Sequence, residues 1–355
     1  MSSQVEVSVE GHMGVIALNR PEAINALSRS MIDAVTEALE RWRGDTGVRA
    51  VLFEGRGPRG FCSGGDVRAV RAMVIEGRLA EAEAYFAAEY AMNLSIATYD
   101  KPVIAIADGI VMGGGIGIAG HARYRCTTPN ARFAMPEAGI GFFGDVGVNF
   151  ILAKAPPHRA LLFLMSGVPA GAADALALGL TDCAVAPERL GELRSGLIGA
   201  ANAGNVDTAI VALMQAQSIQ AGDCTLCALA DRLAGPLQLE TAAAIVAAID
   251  AAAIENGEIS SMAALLKTRS PTSLEAIVQS HRAARRLPEA RDVLALDLRV
   301  ARLMAGLPDF AEGVRAVLVD KDQSPRWSPG IFADVPSGAI REAISPGAER
   351  AAAAV

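Results

Sequence analysis

The stretch VIAIADGIVMGGGIGIAG, Val103 to Gly120, packs an apolar run, a turn, a second short apolar run and a cluster of glycines into one segment. Its length and apolar character first suggest a membrane span, but Asp108 and the glycines leave too much polar and exposed backbone for one. It reads instead as a strand, KPVIAIADG, that passes through glycines into a helix beginning at GGGIGIAGH. The same design stands upstream in VLFEGRGPRGFCSGGDVRAV, residues 51–70. Glycine lets a backbone approach a ligand closely, and the first turn of a helix offers N–H groups without intrahelical partners. Two such turns facing each other would stabilise negative charge developing on oxygen, as an oxyanion hole does. The same residues also read as two tight packing turns, or as a phosphate cradle, although neither GxxxxGKS/T nor a proper GxGxxG is present.

Working outward, Val5, Val7 and Val9 alternate with polar residues, GHMG offers a turn, and VIALN resumes a strand, which is a hairpin pattern. SRSMIDAVTEALERWRGD predicts a helix, with Ser30 three residues before Asp33 as a capping-box-like start and Ile32, Val35, Leu39 and Trp42 on one face. VRAVLFEG reads as a strand, 78–98 as a helix, ARYRCTT as a strand and RALLFLMSG as a helix. Strands alternating with helices imply an α/β layered core. Beyond about residue 190 the text turns alanine- and leucine-rich. We therefore expect a core over 1–204, an all-helical region over 205–345 and a frayed tail over 346–355.

Composition narrows the function classes. A formal charge of −7 over 355 residues leaves no basic footprint, so nucleic acid is not an expected partner, and no membrane partner is expected either. MSSQVEVSVEGHMG has no basic region followed by an apolar stretch, and a cytoplasmic location is the expectation. Five cysteines, an odd number, argue against a disulfide framework. The lone CTLC at 224–227 has neither a second pair nor a nearby histidine, so no metal site is expected.

MPEAGIGFFGDVG, residues 135–147, places two carboxylates, Glu137 and Asp145, among glycine, alanine and apolar residues. Burying a charge costs several kcal/mol (~2–7 for even a neutral polar group) unless something pairs or uses it. Glu137 reads either as a catalytic acid or as a helix-cap or ion-paired residue, and Asp145 either as its partner or as an N-cap of a following helix.

LNRPEAINALS, GFCSGGDVR, MGGGIG and FAMPE, in this order and at these intervals, resemble the crotonase (enoyl-CoA hydratase/isomerase) superfamily over about residues 5–200. The resemblance implies a spiral of ββα repeats, here followed by an all-helical carboxy-terminal extension. It also implies an acyl-CoA thioester as substrate and partner, with the N–H groups of Gly65 and Gly114 as oxyanion donors. CoA being part of the substrate, no separate cofactor is implied. Superfamily hydratases use two glutamates on one water, and the first would stand at Gly117, which has no side chain. MPE followed by an aspartate eight residues on, Glu137 to Asp145, is similar to the 3-hydroxyisobutyryl-CoA hydrolase branch. SPTSLEAI at 270–277 and FAEGVRAVLVDKDQSPRWSP at 310–329 extend that similarity to nearly the whole chain.

What this branch implies is thioester hydrolysis, 3-hydroxyisobutyryl-CoA giving 3-hydroxyisobutyrate and CoA as in valine catabolism. Glu137 would act as general base or as a nucleophile forming an anhydride, and Asp145 would bind the 3-hydroxyl or deliver a proton to the thiol. Glu89, in AEYAMN, matches a substrate-contacting glutamate, though a glutamate on a helix commonly faces solvent. Arg20, Ala26 and Ser63 stand where the superfamily contacts CoA. Gly144 replaces the usual proline before the aspartate, Val148, Asn149 and Phe150 replace a glycine and an aromatic, and Lys154 replaces an arginine. These departures bear on the acyl group, which could be another short 3-hydroxyacyl. The alternatives are an enoyl-CoA hydratase or isomerase using one glutamate, and a non-catalytic acyl-CoA-binding protein. Superfamily members often form trimers, so a homo-oligomer is expected unless the extension occupies that surface.

Overall fold

The valine alternation at the start of the chain produces a hairpin. In the computed structural model, which describes residues 3–253 and 257–345, β1 (Val5–Glu10) pairs antiparallel with β2 (Met13–Leu18), Val5 opposite Leu18. The expected tail over 346–355 lies outside the described residues. After the hairpin come β3 (Ala50–Gly55), β4 (Gly60–Cys62), β5 (Val103–Ile106), β6 (Ile110–Met112), β7 (Tyr124–Thr127), β8 (Arg132–Ala134), β9 (Cys183–Val185) and β10 (Ser218–Ile219). They divide between a sheet ordered β1-β2-β3-β5-β7-β9-β10 and a small sheet ordered β4-β6-β8. Each successive pair, β3 with β4, β5 with β6 and β7 with β8, gives its first strand to the large sheet and its second to the small one. This is the expected spiral.

From β2 to β9 the large sheet is parallel, as is the small one. Parallel neighbours need crossover connections. Helix Arg29–Arg43 makes the first, and it buries Met31, Ile32, Val35, Ala38, Leu39 and Trp42, the expected face. Trp42 lies so close to β2 that a Cβ on Gly14 would stand 2.7 Å from its ring. The helix start differs from the expectation. Ser28, not Ser30, is the N-cap and accepts from the Met31 N–H, while Asp33 pairs with Arg29 one turn earlier. The capping geometry needs a serine outside the helix, and Ser30 already lies inside it.

Contacts divide the chain into two units that do not follow the expected linear division at 204/205. One comprises Met1–Asp66, Ala88–Ala134 and Pro169–Cys224; the other comprises Val67–Ala87, Met135–Val168 and Thr225–Val355. The first holds both sheets. Among the described residues, the region expected to be all-helical is mainly helical but also contributes β10, which adds an antiparallel edge to β9.

The second unit is built on helices, including Pro157–Ser166, Pro271–Ala284 and Ala290–Gly306. Its core contains Phe142 stacked on Phe86 at 5.2 Å and tilted against Phe143 and Phe310 at 5.1 and 5.3 Å. Burying each such ring contributes about 1.5–3 kcal/mol. The SPTS motif finds its reason here. Ser270 caps helix Pro271–Ala284 and donates to the buried Asp309 at 2.6 Å, and Asp309 also accepts from the Ser328 N–H at 2.6 Å.

Candidate active site

In the first unit the two glycine turns are neighbours. Gly113 adopts φ 48° and ψ −121°, a conformation open to glycine, and from it helix Gly114–His121 departs. A Cβ on Gly64, itself at φ +108°, would lie 3.3 Å from the Met112 carbonyl and 3.6 Å from the Gly114 nitrogen. Leu27 forms a parallel bridge with Gly65 by donating to the Gly64 carbonyl at 2.8 Å and accepting from the Asp66 N–H at 2.9 Å. That pattern leaves the Gly65 N–H outside the ladder. The Gly114 N–H is the first of its helix and has no intrahelical acceptor. Two N–H groups on adjoining turns are thus available to an electron-rich oxygen.

Glu89, from helix Leu79–Ala97, is 2% exposed, which removes the solvent-facing reading. Its Oε1 stands over Gly114, 2.2 Å from where a Cβ would be. Burial above all, with the charge of Glu89 adding to it, pushes the neighbouring Cys62 thiol up to about 12, so that thiol is inert.

Arg20, Ala26 and Ser63 gather on one turn. Arg20 Nη1 donates to the Ala26 carbonyl at 3.1 Å and to Asp66 at 2.7 Å, and Ser63 donates to the Ala23 carbonyl at 3.0 Å. The Arg20 charge is therefore already matched within the fold. Asn25, buried and at φ 56°, organises the turn by donating to the Arg56, Gly60 and Phe61 carbonyls and accepting from the Arg20 N–H.

In the second unit Glu137 and Asp145 are both buried, at 7% and 5% exposure. Glu137 lies inside the short turn Pro136–Ile140 whose N-cap is Met135, so it is not a cap. Asp145 does not occupy the N-cap position of the helix after it, Val148–Ile151; that residue is Gly147. The intervening turn carries two left-handed residues, Val146 at φ 54° and Gly147 at φ 71°. Gly144 answers the missing proline, because a Cβ there would meet Leu164 at 2.7 Å.

Two residues around Asp145, Asp297 and His281, went unread in the sequence. Asp297 is fully buried and accepts the Gly147 N–H at 2.8 Å. Burial first, and then the charge of Asp145, push the Asp297 carboxyl well above the usual carboxylate range, against the Gly147 hydrogen bond and Arg299. His281 meets Asn149 Oδ1 at 2.8 Å, and Asn149 donates to the Gly144 carbonyl at 3.4 Å. Burial lowers His281 to about 4. The neutral ring must then donate from Nδ1, since Oδ1 only accepts. The available signal was an acid and a histidine on otherwise apolar helix stripes, Val293, Asp297, Val300 and Met304 in one helix and Leu274, Ile277 and His281 in the other.

Interleaved parallel sheets joined through paired glycine turns are the architecture of acyl-CoA enzymes of the crotonase type. The chain belongs to the enoyl-CoA hydratase/isomerase family, whose model matches residues 13–344. It is 32% identical over 350 residues to the 3-hydroxyisobutyryl-CoA hydrolase, mitochondrial, of Danio rerio, covering 98% of this chain and 91% of that one. The 3-hydroxyisobutyryl-CoA hydrolase 1 of Arabidopsis thaliana is 34% identical, with 96% and 92% covered. Among solved structures, a carnitinyl-CoA dehydratase from Mycobacterium thermoresistibile superposes with a TM-score of 0.89 at 34% identity, covering 97% of both chains. An enoyl-CoA hydratase from Rhodobacter sphaeroides 2.4.1 reaches 0.85 at 31%, covering 97% and 98%. Among the described residues no helix is long and apolar enough to cross a membrane.

Proposed function

We propose that the chain hydrolyses a short 3-hydroxyacyl-CoA thioester, with 3-hydroxyisobutyryl-CoA the first candidate. The observation that carries this reading is the distribution of acids. Position 117, where a hydratase keeps its first glutamate, is a buried glycine, while Glu137 and Asp145 are both buried and neither stands at an N-cap position. The names of the zebrafish and Arabidopsis relatives support the same activity.

In this reading the N–H groups of Gly65 and Gly114 take the thioester oxygen as it becomes an oxyanion, each donor contributing about 3 kcal/mol to the transition state. Glu137 removes a proton from water, or attacks the carbonyl itself to give an anhydride that water opens. The C–S bond breaks and the leaving thiolate takes a proton, with Asp145 either supplying it or holding the substrate 3-hydroxyl. Every role falls to a side chain or a main-chain N–H of this chain, and CoA enters as part of the substrate.

Thiol release from a panel of short acyl-CoAs tests the reading. Glu137→Gln should lower kcat by about 10²–10⁴-fold, and normal turnover by that variant overturns it. The titles of the two solved structures favour a second reading, addition or removal of water at an enoyl thioester. That reaction changes the absorbance of the unsaturated thioester without freeing thiol, so one assay mixture separates the two.

A further inference from the structure

We propose that Asp297 is a positioning residue for Asp145: by holding the Gly147 N–H, it fixes the left-handed Val146–Gly147 turn that sets where the Asp145 carboxylate stands. This rests on the reading above in that Asp145 acts on the substrate. The turn is closed by the Val148 N–H on the Asp145 carbonyl at 3.0 Å, yet its conformation is a costly one. Val146 is β-branched and sits at φ 54°, a conformation such residues avoid, so the surroundings must impose it. The helix that follows contributes no side-chain cap, and its N-cap, Gly147, is itself left-handed.

The surroundings that impose it come from 150 residues away. Asp297 is wholly buried on the apolar stripe of helix Ala290–Gly306 and accepts from Gly147 at 2.8 Å with Oδ2. Its Oδ1 has no hydrogen-bond partner among the described residues, so the single bond to Gly147 is what this costly acid accomplishes. The charged groups acting on it are Asp145 from the loop and Arg299 from its own helix. Burial and the nearby Asp145 charge both push the Asp297 carboxyl upward, toward its protonated form. Asn149 tethers the other end of the loop, between His281 of helix Pro271–Ala284 and the Gly144 carbonyl. Two helices of the carboxy-terminal region thus grip residues 144–149, which gives that region a part in setting the site.

Asp297→Leu and Asp297→Asn test this in the full chain. Leucine removes the acceptor but keeps an apolar filling, so the melting temperature should stay within a few degrees. Hydrogen exchange over 144–149 should rise at least about tenfold, and kcat for thiol release should fall at least about tenfold with KM changed less than threefold. Asparagine keeps an acceptor of nearly the same shape and should restore both. In an Asp145→Asn background, Asp297→Leu should cost no further activity. A folded Asp297→Leu protein with unchanged exchange, unchanged kcat, or an equal further loss in the Asp145→Asn background overturns the proposal. Absence of thiol release by the unaltered chain, or full activity of Asp145→Asn, would instead strike the hydrolase reading, while the exchange data would still report on the tether.

Discussion

Gly114 shows how little room a single position can have. A methyl group there would stand 2.2 Å from Glu89 Oε1 and 3.1 Å from Leu27 Cδ1. Gly114→Ala must turn the Glu89 carboxylate aside, at a cost of about 1–3 kcal/mol in stability. It should also lower thioester hydrolysis by about 10²–10³-fold, the size expected when an oxyanion donor is misplaced. Urea unfolding of Gly114→Ala with and without Glu89→Ala checks the cause: if the clash is with that carboxylate, the double variant regains the lost stability. Glu137 and Asp145 were legible as odd acids in apolar text. Their burial, and their places off the N-cap positions, could be learned only from their surroundings.

At the scale of elements, the segment 144–149 shows compensation between neighbours. Leu164, from helix Pro157–Ser166, fills the space beside Gly144. Gly144→Ala should therefore destabilise by about 1–3 kcal/mol, and Gly144→Ala with Leu164→Ala should lose less than the sum of the two single changes. The clamping groups predict opposite pH effects. His281 titrates near 4 folded and about 6.5 unfolded, so between those values the unfolded chain binds more protons and stability falls as pH drops, by roughly 3 kcal/mol in all. Asp297 behaves in reverse. Its folded pKa lies well above the unfolded value of about 3.9, the native state holds the extra proton, and its contribution weakens as pH rises from about 4. Asp297→Asn should gain stability over the parent chain as pH climbs from 4 to 7, whereas His281→Gln should lose the acid-side slope. Melting curves across that range decide both.

For the whole molecule, the unit that holds the acids is assembled from three stretches of chain, Val67–Ala87, Met135–Val168 and Thr225–Val355. A fragment ending at residue 224 keeps Phe86 and Phe142 but loses Phe310 and the helices Pro271–Ala284 and Ala290–Gly306. Such a fragment should expose those rings, bind ANS and melt without cooperativity, and a sharp native-like transition would count against this view of its assembly. The linear division expected at 204/205 follows a real change in composition. Composition records which elements form, whereas the units depend on which elements meet.

The amino-acid sequence by itself determined the hairpin, the alternation of strands and helices, the two glycine turns and the pair of acids, because these rest on local periodicity, backbone freedom and short spacings. It also placed the chain among acyl-CoA enzymes through motifs kept in order. Only the tertiary structure decided that Ser28 rather than Ser30 caps the first long helix, that Glu89 lies buried over Gly114, and that Asp66 matches the Arg20 charge. The Asp297–Gly147 bond belongs to the same class. Contacts spanning 46 or 150 residues leave no periodic trace, and a buried acid on an apolar helix stripe declares its purpose only when the N–H it serves is brought to it.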